Sequence, residues 1–123
     1  MIIGLSDLQY FLKVLREAHG WDAVPARADI LDAREEAIRL NDGSGSFATE
    51  TAALFFAFSD VDRFGNYFRQ LPLAFIFYVV EGSAFDIAEG DTEQLIELQT
   101  RIASDLASWD ECRSWFERHL VKR

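Results

Sequence analysis

Apolar residues return every three or four positions over most of the chain, which is the spacing of amphipathic helices. Leu8, Phe11, Leu12 and Leu15 mark a first helix from Ser6 to about His19, and Gly20 stops it. Trp21 to Pro25 reads as a loop. A second helix over 26–40 follows, with Ile30, Ala33, Ala37 and Leu40 on one stripe and acids on the other. Asn41-Asp42-Gly43-Ser44-Gly45-Ser46 is a short flexible surface loop. Ser59 with Asp62 opens a further helix, Asp60 to about Gln70, which Pro72 ends. Asp91 with Gln94 caps a helix to about Leu106 that turns Leu95, Leu98, Ile102 and Leu106 inward. Ser108 with Glu111 caps the last helix, with Trp109, Cys112, Phe116 and Leu120 on one face. Arg118, His119, Lys122 and Arg123 sit at its end, where the helix dipole favours cations.

Two stretches lose this periodicity because they are apolar on every side. Phe47 to Phe58 fits a helix, and 53–58 fits a buried strand equally well. Leu73 to Val80 is rich in β-branched and aromatic residues, and after Glu81-Gly82-Ser83 the polarity alternates from Ala84 to Ala88. This predicts a β-hairpin. Its rival is a fully buried helix that starts with Pro72 and stops at Gly82. The expected fold is therefore α+β and helix-dominated, about five helices with one short antiparallel β-hairpin (73–88); the alternative is an all-α bundle. The 123 residues are expected to form one globular domain, 1–123, large enough to fold without a staple. Eleven phenylalanines make the chain too apolar for disorder, and Phe75 and Phe77 are both expected in the core.

Charge changes the picture more than composition does. The net charge is −9, and it is unevenly spread. Residues 29–62 hold eight acids against two bases, and 81–111 hold nine acids against Arg101 alone. The last twelve residues reverse this, with Glu117 against Arg113, Arg118, Lys122 and Arg123. Phosphates repel such a surface, which argues against direct nucleic-acid binding. A basic partner is steered in by it. The start of the chain, Met1 to Asp7, lacks a basic region followed by an apolar run, and the run Leu71 to Val80 is half a membrane span. With Cys112 alone, no intramolecular disulfide can form. The expected compartment is the cytoplasm, with no membrane partner.

No pattern of catalytic residues emerges. Cys112 and His119, seven apart on one helix, lie about 10 Å apart along its axis, beyond hydrogen-bond reach. Two histidines and one cysteine offer no zinc spacing. Asp60-Val61-Asp62-Arg63-Phe64-Gly65 begins like a calcium loop, but Phe64 and Leu71 stand where liganding side chains belong. Phe47-Ala48-Thr49-Glu50 follows the glycines of 43–45, so no phosphate-cradling loop is formed, and no Gly-x-Ser-x-Gly elbow is present. No enzyme, metal or cofactor is expected. Of the tryptophans, Trp109 is expected in the core, while Trp21 and Trp115 are candidates for an exposed binding residue.

These features point to a protein–protein inhibitor that binds a basic partner, such as a nuclease or a nucleic-acid-binding complex, through an acidic surface. Small size, acidity and absence of chemistry are shared with immunity proteins, antitoxins and phage anti-defence proteins of the anti-CRISPR kind. The expected contact residues are Glu81, Asp86, Glu89, Asp91, Glu93 and Glu97, a second group of Asp29, Asp32, Glu35 and Glu36, and Trp21. The alternative is a non-catalytic structural or adaptor subunit whose acidity serves solubility, with an apolar patch from the Phe-rich middle joining copies into a homo-oligomer.

Overall fold

The computed structural model describes residues 5–20, 27–65 and 70–123. Among them are seven α-helices and a two-stranded antiparallel sheet: α1 (Leu5–His19), α2 (Arg27–Asn41), α3 (Phe47–Phe58), α4 (Val61–Phe64), α5 (Gln70–Glu81), β1 (Phe85–Ile87), α6 (Thr92–Ala103), α7 (Trp109–His119) and β2 (Leu120–Lys122). A 3-10 turn, Glu89–Asp91, leads into α6. The helix-dominated α+β expectation therefore holds. No helix among the described residues is long and apolar enough to cross a membrane.

The centre of the fold is α3. Its neighbours α2, α5, α6 and α7 all touch it, and Ala52, Ala53, Leu54, Phe55, Ala57 and Phe58 are buried around it. A helix enclosed on all sides needs no polar stripe, which is why its sequence carries no helical period. Its polar side chains are satisfied locally: Thr51 Oγ1 donates to the Phe47 carbonyl at 2.7 Å and Ser59 Oγ to the Phe55 carbonyl at 2.6 Å. Ala33 and Ala37 on the buried face of α2 let that helix lie close to α3. Aromatic rings tie the other helices in. Phe55 meets Phe116 of α7 edge-on at 5.5 Å, and Phe58 meets Phe75 of α5 at 4.8 Å and Phe64 of α4 at 5.4 Å.

The hairpin over 73–88 does not form. Residues 73–81 belong to α5, and the sheet joins β1 to the chain's end, with Phe85 opposite Lys122, Asp86 opposite Val121 and Ile87 opposite Leu120. Pro72 falls in the first turn of α5, where its missing N–H costs nothing. It begins this helix and does not end the preceding one. Leu71, Phe75, Ile76 and Val80 are buried, while Phe77 and Tyr78 on the outer face are exposed, so Phe77 is not a core residue. Ser83 makes the turn into β1: its Oγ donates to the Val80 carbonyl and accepts from Phe85 N at 3.0 Å. The last helix is correspondingly shorter than its sequence pattern suggested, because Leu120 adopts an extended backbone and pairs with Ile87. Arg123 closes the arrangement, with its N–H on the Ala84 carbonyl at 2.9 Å and its guanidinium on the Val80 and Glu81 carbonyls at the C-terminus of α5.

Two helix ends also differ from the pattern. Asp60, not Ser59, caps α4, accepting from Asp62 N and Arg63 N at 3.0 and 3.2 Å, because the Ser59 hydroxyl is turned back onto α3. Helix α6 stops at Ala103, Asp105 takes a left-handed backbone, and Leu106 is exposed and not inward. By contrast, Ser108 Oγ accepts from Glu111 N at 3.2 Å, as its position implied. Ser108→Ala is expected to cost about 1 kcal/mol through loss of this cap, read as a lower urea midpoint with unchanged slope.

Candidate functional site

The first acidic group follows the chain around one end of the molecule. Glu81 ends α5, Asp86 lies in β1, Glu89 and Asp91 form the 3-10 turn, and Glu93 and Glu97 sit one turn apart on α6. All are exposed except Asp91, which is half-buried. Among the described residues none of these six carboxylates forms an ion pair. Asp86 Oδ1 accepts from Ile87 N at 2.9 Å. The acids of 110–111 differ: Glu111 is paired with Arg101, and Asp110 with Arg113 at 3.1 Å.

The fold brings cations back to this end. Lys122 lies opposite Phe85, Arg123 caps α5 beside Glu81, and Arg118 lines the same cleft of about 180 Å³ between α6 and α7 as Glu97. In sequence these bases stand twenty or more residues from the acids. The sheet and the α6–α7 pairing bring them beside those acids, which softens the field there without pairing any of the six.

The second group lies on α2. Asp32 and Glu35 are exposed, and Asp29 and Glu36 are half-buried. Glu36 is committed to structure, since its Oε2 lies 3.1 Å from Arg63 NH1, and Arg63 also reaches Asp60 at 3.8 Å. This pair clips α4 to α2. Pairs this exposed contribute little stability, up to about 1 kcal/mol. Glu36 also shares a shallow cleft of about 230 Å³ with Asp60, Asp62 and Asp105. The last three extend the acidic surface beyond the residues singled out from sequence. Their convergence rests on α2, α4 and the end of α6 meeting, which no local pattern announces. Glu93 of the first group sits in the first turn of α6, while Glu36 of the second lines a cleft with Ile102 and Ala103 at that helix's end.

Of the remaining candidates, Trp115 and Cys112 lie in the core. Trp115 is buried, stacked on His119 at 4.1 Å and edge-on to Phe116 at 5.1 Å, so it is not an exposed binding residue. Trp109 is half-buried against Phe56 at 5.8 Å. Trp21 lies outside the described residues. His119 Nδ1 is 2.7 Å from the Trp115 carbonyl. Cys112 is fully buried, its thiol facing the Ala52 carbonyl at 3.6 Å. Burial, and secondarily the neighbouring Glu111, push its pKa far above the ordinary thiol range. The thiolate is the reactive form, so Cys112 is expected to resist a thiol reagent at pH 8 until the protein unfolds. Rapid labelling of the native protein would contradict this. Among the described residues no three His, Cys, Asp or Glu side chains are grouped to hold a metal ion.

Compared with family models, with curated proteins and with solved structures, the chain finds no match in any of the three.

Proposed function

We propose that this protein is a non-catalytic inhibitor that binds a basic partner protein through its acidic surface, in the manner of an immunity protein, an antitoxin or an anti-CRISPR. The observation that carries this reading is the run of six carboxylates from Glu81 to Glu97 with no ion pair among the described residues. Unpaired exposed acids repel one another in the free protein and gain when a cationic surface arrives. Asp29, Asp32 and Glu35 supply a second patch of the same sign, and the Glu36–Asp60–Asp62–Asp105 cleft continues it. A nuclease or nucleic-acid-binding complex offers a suitable basic cleft, in which such a surface takes the place of phosphates. The cytoplasm suits a chain whose one thiol, Cys112, is buried and unpaired.

A tagged pull-down from a bacterial lysate at about 0.1 M and about 0.5 M salt tests the proposal, because the screening length falls from about 10 Å to a few ångström over that range. The expected result is a partner with a basic surface, retained at low salt and lost at high salt. A partner held equally at both, or capture of this chain alone, overturns it. The alternative, a non-catalytic structural or adaptor subunit, draws on a separate observation: the exposed aromatic face of α5.

A further inference from the structure

A cleft of about 270 Å³ opens where three helices meet. Asp7 reaches it from the start of α1, Tyr78 and Val79 from the end of α5, and the first two turns of α3 form its third wall, from Phe47 to Leu54. These walls are held by contacts behind them. The Phe47 ring stacks on Phe85 at 5.1 Å, the Tyr78 ring lies 4.7 Å from Phe11, and Leu54 belongs to the core. A site formed in advance loses less on binding than one that must be ordered. Asp7 and Tyr78 are exposed, so the cleft is reached from solvent.

The polar groups of the cleft share one character. Asp7 and Glu50 are carboxylates, which accept hydrogen bonds and donate none. Thr51 Oγ1 donates its proton to the Phe47 carbonyl at 2.7 Å, so what it has left to offer is an acceptor. Only the Tyr78 hydroxyl can serve either way. Among the described residues no Lys, Arg or His lines the cleft, and Arg123, at the same end of α5, is spent on the Val80 and Glu81 carbonyls. Apolar walls combined with acceptors match the reverse in a ligand: an apolar stem carrying a head that only donates. Volume narrows the choice. Small-molecule sites begin near ~300 Å³, so this cleft is too small for a nucleotide and suits a single side chain. Arginine fits better than lysine, because its guanidinium is more weakly hydrated than an ammonium and stacks on aromatic rings such as that of Tyr78.

We infer that this cleft seats an arginine side chain of a basic partner protein, with its guanidinium on the Asp7 and Glu50 carboxylates and its stem against Leu54, Val79 and the Tyr78 ring. The arginine's source rests on the reading of this protein as a binder of a basic partner; the cleft adds the place where one of that partner's cations is held. It adjoins the acidic stretch, since Glu81, where that stretch begins, lies one turn beyond Tyr78 on α5. A basic surface steered in by the 81–97 acids therefore arrives beside the cleft.

The probe is N-acetyl-arginine N-methylamide, a single arginine with both ends blocked. It is titrated through the millimolar range into the full-length, nitrogen-labelled protein and followed by proton–nitrogen correlation NMR. Saturating shifts are expected at the amides of Thr51, Leu54 and Val79, beyond those that equal sodium chloride produces. The citrulline counterpart, a neutral urea of the same shape, should not bind, and the lysine counterpart should bind more weakly than arginine. Asp7→Asn should weaken the arginine probe by up to about fivefold, the range of an exposed ion pair. Tyr78→Leu should weaken it by about two- to fivefold through loss of the ring face. Asp32→Asn removes the same charge outside the cleft and should leave binding unchanged. Shifts that do not saturate, equal binding of the citrulline or lysine probe, or indifference to both the Asp7 and Tyr78 changes overturns the inference. The probe needs no partner, so the two readings fail separately. Probe binding with no basic partner captured from lysate supports the seat and counts against the functional reading; a salt-sensitive basic partner with no probe binding overturns the seat alone.

Discussion

Truncating Phe75 to Ala is expected to cost about 3–5 kcal/mol, while the same change two residues on, at Phe77, should cost about 1 kcal/mol or less. Phe75 is 1% exposed and sits between the Phe11 ring at 4.7 Å and the Phe58 ring at 4.8 Å, joining α1, α5 and α3. Removing it opens a cavity that three helices cannot close without breaking their other contacts. Phe77 is 43% exposed, and its truncation leaves a notch that water fills. Against a total stability of about 5–15 kcal/mol, the first change is severe, with a melting temperature lower by on the order of 10–20 °C. Urea unfolding followed by circular dichroism measures both variants. Equal losses at the two positions would mean that Phe77 is covered and that the packing of α5 described above is wrong.

The same segment shows what a local pattern can and cannot decide. From Leu71 to Val80 every residue is apolar, so periods of 2 and 3.6 fit equally well, and β-branched and aromatic content tips the reading towards strand. The helix wins through its ends: Pro72 is pre-set for a first turn, and Gly82 and Ser83 stop the last one. Its outer face is apolar without being buried, which is why the sequence reads as core all round. Amphipathic α1, α6 and α7 are recognisable from their stripes, and so is the antiparallel two-stranded motif with β1 inside the alternating 84–88 stretch, but not the strand that pairs with it. The partner of Phe85 is Lys122, at the far end of the chain, and a three-residue strand carries too little pattern to announce such a distant pairing.

The candidate surface divides in a similar way. That the acids of 81–97 are solvent-facing follows from their type, since unpaired carboxylates are rarely buried. Which of them are compensated depends on contacts between distant elements. Glu36 is clipped to Arg63 and Glu111 to Arg101, while Glu89 and Glu93 have no ion pair among the described residues. Arg118, Lys122 and Arg123 look like an isolated basic tail in sequence, yet they return beside the acidic stretch because β2 pairs with β1 and because Arg118 of α7 lines one cleft with Glu97 of α6.

Reversing Glu89, Asp91, Glu93 and Glu97 together to Lys should abolish partner binding while preserving the fold. The change moves the net charge from −9 to −1, two units at each of four sites. Association steered by charge is expected to slow by roughly 10–10³-fold at low salt, and what binding survives should no longer weaken as salt is raised. The cost to stability is small but not zero. Glu89, Asp91 and Glu93 stand before and within the first turn of α6, where acids favour the positive end of the helix dipole. Lysines there are unfavourable, by about 0.3–1 kcal/mol for each acid lost. No side-chain cap is broken, because Asp91 makes none. A Gln set at the same four positions separates lost attraction from introduced repulsion: it should weaken binding less than the Lys set and keep some salt dependence. If the Lys variant keeps its circular dichroism spectrum and binds its partner as tightly as before, the acidic stretch is not the interface, and its charge serves solubility alone.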